Sequence, residues 1–157
     1  MKRFFAVLLC LLALTLSAVA QPPKPPAKAS APAPDKAYLQ NILNAWSTLD
    51  PAKVAHYYAS GPHTFYDVAP LKYTSWEEYA NGVKNLGTVY KSAKFTLNDD
   101  VDIHSDKDVV WATATLHSEM TKTDGKIEMA TARWTVIFEN RDGKWVIVHD
   151  HFSEPLQ

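Results

Sequence analysis

From Tyr90 onward the apolar residues of this chain recur at every second position, and that period holds to Ser153. A period of two puts alternate side chains on opposite faces of a strand, so the stretch calls for a sheet with one face buried. Over 108–121, Val110, Ala112, Ala114, Leu116 and Met120 fall on one face and Trp111, Thr113, Thr115, His117 and Glu119 on the other. Thr123-Asp124-Gly125-Lys126 and Asn140-Arg141-Asp142-Gly143 carry residues that tolerate tight reversals, which folds the stretch into an antiparallel meander. The polar Asn98-Asp99-Asp100 inside the strand over 91–103 predicts a bulge or a bend there.

Before Tyr90 the spacing is helical. Asp35 is an N-cap, and Tyr38, Leu39, Ile42, Leu43, Trp46 and Leu49 form the apolar stripe of a first helix that should lie in the concave face of the sheet. Asp50 and Pro51 start a short second helix through Val54, Ala55 and Tyr58. Gly61-Pro62 ends it, and 63–68 reads as a short strand on which Phe65 and Asp67 face one way and Tyr66 the other. Asp67 either serves a pocket or caps the turn that follows. A capping box, Thr74 with Glu77 or Ser75 with Glu78, opens a third helix that runs to Leu86 and stops at Gly87. Its stripe of Trp76, Tyr79, Val83 and Leu86 reads as core.

The first twenty residues form a targeting segment: Lys2 and Arg3, an apolar run over 4–19, and Ala18-Val19-Ala20 as a small-x-small cleavage signal. Cleavage after Ala20 implies a periplasmic or secreted protein with no membrane span left. It also removes Cys10, the single cysteine, so the mature chain has no thiol or disulfide chemistry. Residues 21–34 are rich in proline and alanine and make an extended spacer. The remainder, 35–157, is the size of one domain. Of 16 basic and 17 acidic residues, cleavage takes Lys2 and Arg3 and no acid, leaving 14 and 17, a net charge of −3. That balance excludes nucleic acid as an expected partner.

The last hairpin holds most of the interpretable chemistry, with Arg133 near the start of one strand and His149, Asp150 and His151 near the end of the other. A two-residue Asp142-Gly143 loop places Arg133 beside Phe152, on the face of Asp150. A three-residue loop places it on the face of His149 and His151. The sequence leaves both open. The acidic cluster of Asp99, Asp100, Asp102, His104, Asp106 and Asp108 lacks the glycine and the terminal glutamate of a calcium loop, and no metal site is expected from it. A zinc site on His149 and His151 would need a third ligand that no spacing demands.

The run R-W-T-V-I-F-x-x-R-D-G-K-W-V-I-V-H-D-H-F-S resembles the closing hairpin of SnoaL-like proteins in the nuclear transport factor 2-like superfamily, with ketosteroid isomerases, polyketide cyclases and kinase II association domains among the relatives. The resemblance implies an α+β, cone-shaped fold: three N-terminal helices packed on a strongly curved, mostly antiparallel sheet, with a conical pocket at one end. It makes Tyr66, Asp67, Arg133, His149 and Trp46 ligand-binding candidates and Asp150 and His151 candidate general bases, in chemistry that needs no cofactor. Thr135 falls where the isomerases place an oxyanion-hole acid, which argues against steroid isomerisation. The arginines of the kinase association domains are missing near Val136 and Phe152.

Three expectations follow: a binding domain for a small, partly apolar, carboxylate-bearing molecule; a cofactor-free isomerase, cyclase or hydrolase; or an assembly module with a vestigial pocket. A homodimer is expected through an apolar patch bearing Trp111, Trp134 and Trp145.

Overall fold

The computed structural model describes residues 31–155. The targeting segment and most of the spacer lie outside them. Asp35 caps α1 (Lys36–Trp46), its carboxylate accepting from the Tyr38 N–H at 2.8 Å. The helix ends three residues before the expected Leu49, which sits at φ 56° in the connection to α2 (Pro51–Val54). Asp50 caps α2 and Pro51 opens it, and a 3₁₀ turn (Ala55–Tyr57) follows. β1 (Pro62–Phe65) pairs with β2 (Tyr73–Ser75), a short strand that no pattern in the sequence announced.

α3 (Trp76–Val89) opens on Ser75, whose hydroxyl accepts from the Glu78 N–H, while the Glu78 carboxylate returns to the Thr74 N–H at 2.8 Å. The capping pair is therefore Ser75 with Glu78. The helix does not stop at Gly87. It runs on to Val89 and passes directly into β3, because the Tyr90 N–H still bonds the Leu86 carbonyl.

β3 (Tyr90–Leu97), β4 (Asp102–Asp106), β5 (Val109–Lys122), β6 (Ile127–Arg141) and β7 (Lys144–Ser153) form one antiparallel sheet in the order β3-β5-β6-β7. β3 and β4 both pair with β5, one against each half, so they are a single edge strand broken at Asn98-Asp99-Asp100. The break is held from β5: the Asp100 carboxylate accepts from the Thr115 N–H and hydroxyl at 3.0 and 2.8 Å. These bonds also hold Asp100 below its ordinary pKa.

Asp142 and Gly143 both have positive φ, 55° and 84°, and Arg141 pairs with Lys144, so the last turn is the two-residue one. The register then slips by one at Val148, where β7 bulges: Phe138 pairs with Ile147 but Ile137 pairs with His149. Beyond the bulge Val136 faces Asp150, Thr135 faces His151 and Arg133 faces Ser153. Arg133 thus shares a face with His149 and His151, although the loop is the two-residue kind.

The free edge of β7 is covered by the segment after the 3₁₀ turn, through Ala59 N–H to Ile147 carbonyl (2.9 Å), Tyr66 N–H to Asp150 carbonyl (3.0 Å) and Phe152 N–H to Tyr66 carbonyl (3.0 Å). Pairing an edge in this way removes its exposed N–H and C=O groups. It also delivers Asp67 to the inner face of the sheet.

The core lies between that face and the helices. Leu39, Ile42, Leu43 and Trp46 from α1 pack on Val110, Ala112, Ala114, Leu116, Trp134, Val136 and Phe138. Trp134 and Trp145 belong to this core, 1% and 6% exposed, which leaves Trp111 alone of the three tryptophans on the outer face. The expected triple-tryptophan patch does not form, because alternation along β6 and the two-residue turn, which pairs Trp145 with Asn140, turn the other two inward. Among the described residues no helix is long and apolar enough to cross a membrane.

Candidate functional site

One end of the sheet is left unfilled. At the β3–β5–β6 end the inner positions are small: Ser118 pairs with Ala130, and Ala132 pairs with Leu116. Opposite them α3 presents Gly82. These residues surround a cavity of about 630 Å³, walled by Leu43 and Trp46 of α1, Tyr79 and Val83 of α3, Tyr73, Phe95, Met120 and Phe152. Its size is that of a small-molecule site. Gly82 has a specific reason to be glycine, since a Cβ there would lie 2.1 Å from the Tyr73 hydroxyl oxygen.

Aromatic rings build the closed end of the wall. Tyr79 stacks on Tyr73 (4.9 Å between centroids) and on Phe65 (5.6 Å), and Trp46 lies 5.2 Å from Tyr79. Behind them runs a buried polar chain. The Trp46 Nε1–H donates to the Tyr58 hydroxyl at 3.1 Å, and that hydroxyl donates to Asp150 Oδ2 at 2.5 Å. Asp150 is fully buried, and its Oδ1 has no partner among the described residues. Burial pushes its carboxyl from 3.8 up to about 8, against the Tyr58 hydrogen bond, which lowers it, and with the Asp67 charge adding to the rise. Asp150 is therefore mostly protonated at neutral pH. Burial and the Asp150 charge also hold the Tyr58 hydroxyl well above its ordinary pKa.

Three carboxylates reach the cavity: Asp67, Glu128 and Glu154. Glu128 is neutralised by Lys122 (2.5 Å) and accepts from the Tyr90 hydroxyl (2.7 Å). Asp67 is half-buried, and its Oδ1 takes only the Val68 N–H at 2.7 Å. Burial raises its pKa and the Glu154 charge adds to that, while the Val68 bond pulls the other way.

Of the seven candidates named from the sequence, the cavity wall carries Trp46 and Asp67. Asp150 sits behind the wall. Arg133 is exposed on the other face of the sheet, with His149 and His151 rather than Asp150, which settles the alternative the sequence left open. Tyr66 is 36% exposed and packs edge-on against His149 (5.5 Å) and His151 (5.4 Å), away from the cavity. His149 Nδ1 lies 2.7 Å from the Thr64 carbonyl and ties β7 to β1. Tyr58, Tyr73, Tyr79, Phe152 and Glu154 were not among the candidates. The last had a signal: Asp150, Phe152 and Glu154 alternate on one face.

A helical layer closing a curved antiparallel sheet around an interior cavity defines the cone-shaped class of the nuclear transport factor 2-like superfamily. The SnoaL-like domain model matches residues 36–157, and the chain belongs to that family. A superfamily protein from Salmonella enterica serovar Typhimurium superposes with a TM-score of 0.67 at 20% identity, covering 78% of this chain and 92% of that one. A protein from Xanthomonas campestris assigned as a calcium/calmodulin dependent protein kinase II association domain gives 0.68 at 25%, covering 83% and 97%. One from Novosphingobium aromaticivorans assigned as a scytalone dehydratase gives 0.67 at 9%, covering 75% and 79%. Comparison with curated proteins returned no match.

Proposed function

We propose that the chain is an exported binding domain that holds a small, largely apolar molecule inside the cone. The observation that carries this reading is the cavity of about 630 Å³, aromatic on one side and lined by small residues on the other, with a half-buried carboxylate in its wall. A pocket of this size that opens to solvent and is walled mainly by apolar and aromatic side chains is the usual form of a small-molecule site. The carboxylate-bearing ligand expected from Arg133 loses its support, because that side chain lies on the opposite face. Export is inferred from residues 1–20 alone.

The test is native mass spectrometry of the mature protein from its own host, beside an Ala130→Trp variant that fills the cavity. A small-molecule adduct on the wild type that the variant lacks supports the reading. A bare wild type, or an adduct that the variant keeps, contradicts it.

A second reading is a cofactor-free enzyme, and Asp67 is the observation in its favour. It is a carboxylate in the wall whose pKa is raised by burial, the environment that suits a general base or acid. Asp150 and His151 suit that role less well, one lying behind the wall and the other outside the cavity. Among the structural neighbours are proteins assigned as dehydratases. An Asp67→Asn variant that retains the host's ligand unconverted, where the wild type releases a changed product, would favour this reading.

Association domains also stand among the neighbours, and the homodimer proposed here would use the outer sheet face, where Trp111 is 39% exposed and stacks on His104 at 5.3 Å. Light scattering of a Trp111→Glu variant tests that, a monomer being the expected result.

A further inference from the structure

We propose that the cavity is selective for an organic cation: a molecule with an apolar body and an ammonium or guanidinium head, the head received by Asp67 and Glu154. This rests on the ligand-binding reading above and adds the chemical class. The wall offers carboxylates and rings, and among the described residues no lysine or arginine lines it.

The three carboxylates are not equivalent. Glu128 has its partner in Lys122, whereas neither Asp67 nor Glu154 has an ion-pair partner among the described residues. Both stand on the side of the cavity formed by Phe152 and the strap over β7, close enough for the Glu154 charge to act on Asp67. Two unpaired carboxylates facing one partly desolvated space are costly without a counter-charge, and an anionic guest would raise that cost. A cation relieves it, and Trp46, Tyr73, Tyr79 and Phe95 line the same cavity as aromatic surface for cation–π contact. The apolar body has Leu43, Val83, Leu116 and Met120 to lie on.

Three probes of one shape test the proposal: 2-(2-naphthyl)ethylamine, 2-(2-naphthyl)ethanol and 2-naphthylacetate, titrated calorimetrically into the mature protein at pH 7.5 and low salt. The amine is expected to bind at least tenfold more tightly than the alcohol, and the alcohol more tightly than the acetate. Asp67→Asn and Glu154→Gln should each reduce the preference of amine over alcohol at least threefold. Glu154 is exposed, so its variant remains informative even if Asp67→Asn loses the fold. If the alcohol or the acetate binds as tightly as the amine, charge selection is wrong and the cavity reading stands. If the amine preference is undiminished in both variants, the assignment to these carboxylates is overturned. If none of the three binds, the cavity reading falls with it.

Discussion

Asp150 is the residue whose environment departs furthest from what its chemistry prefers. Its carboxyl is fully buried, takes one hydrogen bond from Tyr58, and has its pKa raised to about 8. A group whose folded-state pKa is raised contributes its full stability below the unfolded value, near 3.8, and loses it as pH climbs through the folded value. Thermal stability should therefore fall between about pH 4 and pH 8, with a slope from this one group of up to about 1.4 kcal/mol per pH unit. Asp150→Asn should at least halve that slope and raise Tm at pH 8, as calorimetric scans across the range would show; an unchanged slope would mean that Asp150 ionises without penalty. Tyr58→Phe should act in the opposite sense. It removes the bond that lowers the Asp150 pKa and should cost about 1–2 kcal/mol at neutral pH, measurable by urea denaturation. Asp150 could be named as unusual from the sequence, because a lone acid between two histidines at a strand end has no obvious packing role. Its partner could not be named: Tyr58 lies 92 positions earlier, in a segment that reads simply as apolar helix.

At the scale of elements, the Val148 bulge decides which residues of β7 reach the interior. Without it a two-residue turn would set His149 opposite Val136 and turn Asp150 outward. Deleting Val148 removes only the extra residue and leaves His149 opposite Ile137 and Asp150 opposite Val136 in a regular ladder, so the protein should keep cooperative unfolding by circular dichroism; loss of the transition would show that the bulge does more than set the register. The apolar run Trp145-Val146-Ile147-Val148 does not announce it, since its residues alternate faces regularly up to Ile147 and the slip comes only after. Strand faces, caps and turns were legible because each depends on neighbours a few positions away. The extension of α3 past Gly87 and the existence of β2 were not, because both depend on contacts made by the finished fold. Gly82 is another such case. Gly82→Ala should force the Tyr73 ring toward the cavity and weaken binding of the neutral naphthyl alcohol at least fivefold, read by calorimetry, with unaltered affinity as the contrary result.

For the whole molecule, the long strands β5 and β6 serve two purposes at once. One half of their inner face, at Val110, Ala112, Val136 and Phe138, is packed solid under α1; the other half, at Ser118, Ala130 and Ala132, is left open. Along β6 the inner side chains shrink from Phe138, Val136 and Trp134 to Ala132 and Ala130, which leaves one end of the cone closed and the other unfilled. The α+β order was legible from the meander and the helical stripes, and the cone with its pocket from the resemblance carried by the closing hairpin. The residues that line the pocket were mostly not legible, because its emptiness depends on which small residues meet across three elements, and no local pattern records that. The central claim is that this space binds small molecules, and the most direct test is a two-dimensional NMR titration of the mature protein with 2-(2-naphthyl)ethanol. The prediction is saturable shifts of the Trp46 indole N–H and of the Leu43, Val83 and Leu116 methyl groups, with Trp111 on the outer face unmoved. Shifts confined to Trp111 and Tyr66, or no saturable shift at the cavity wall, would contradict it.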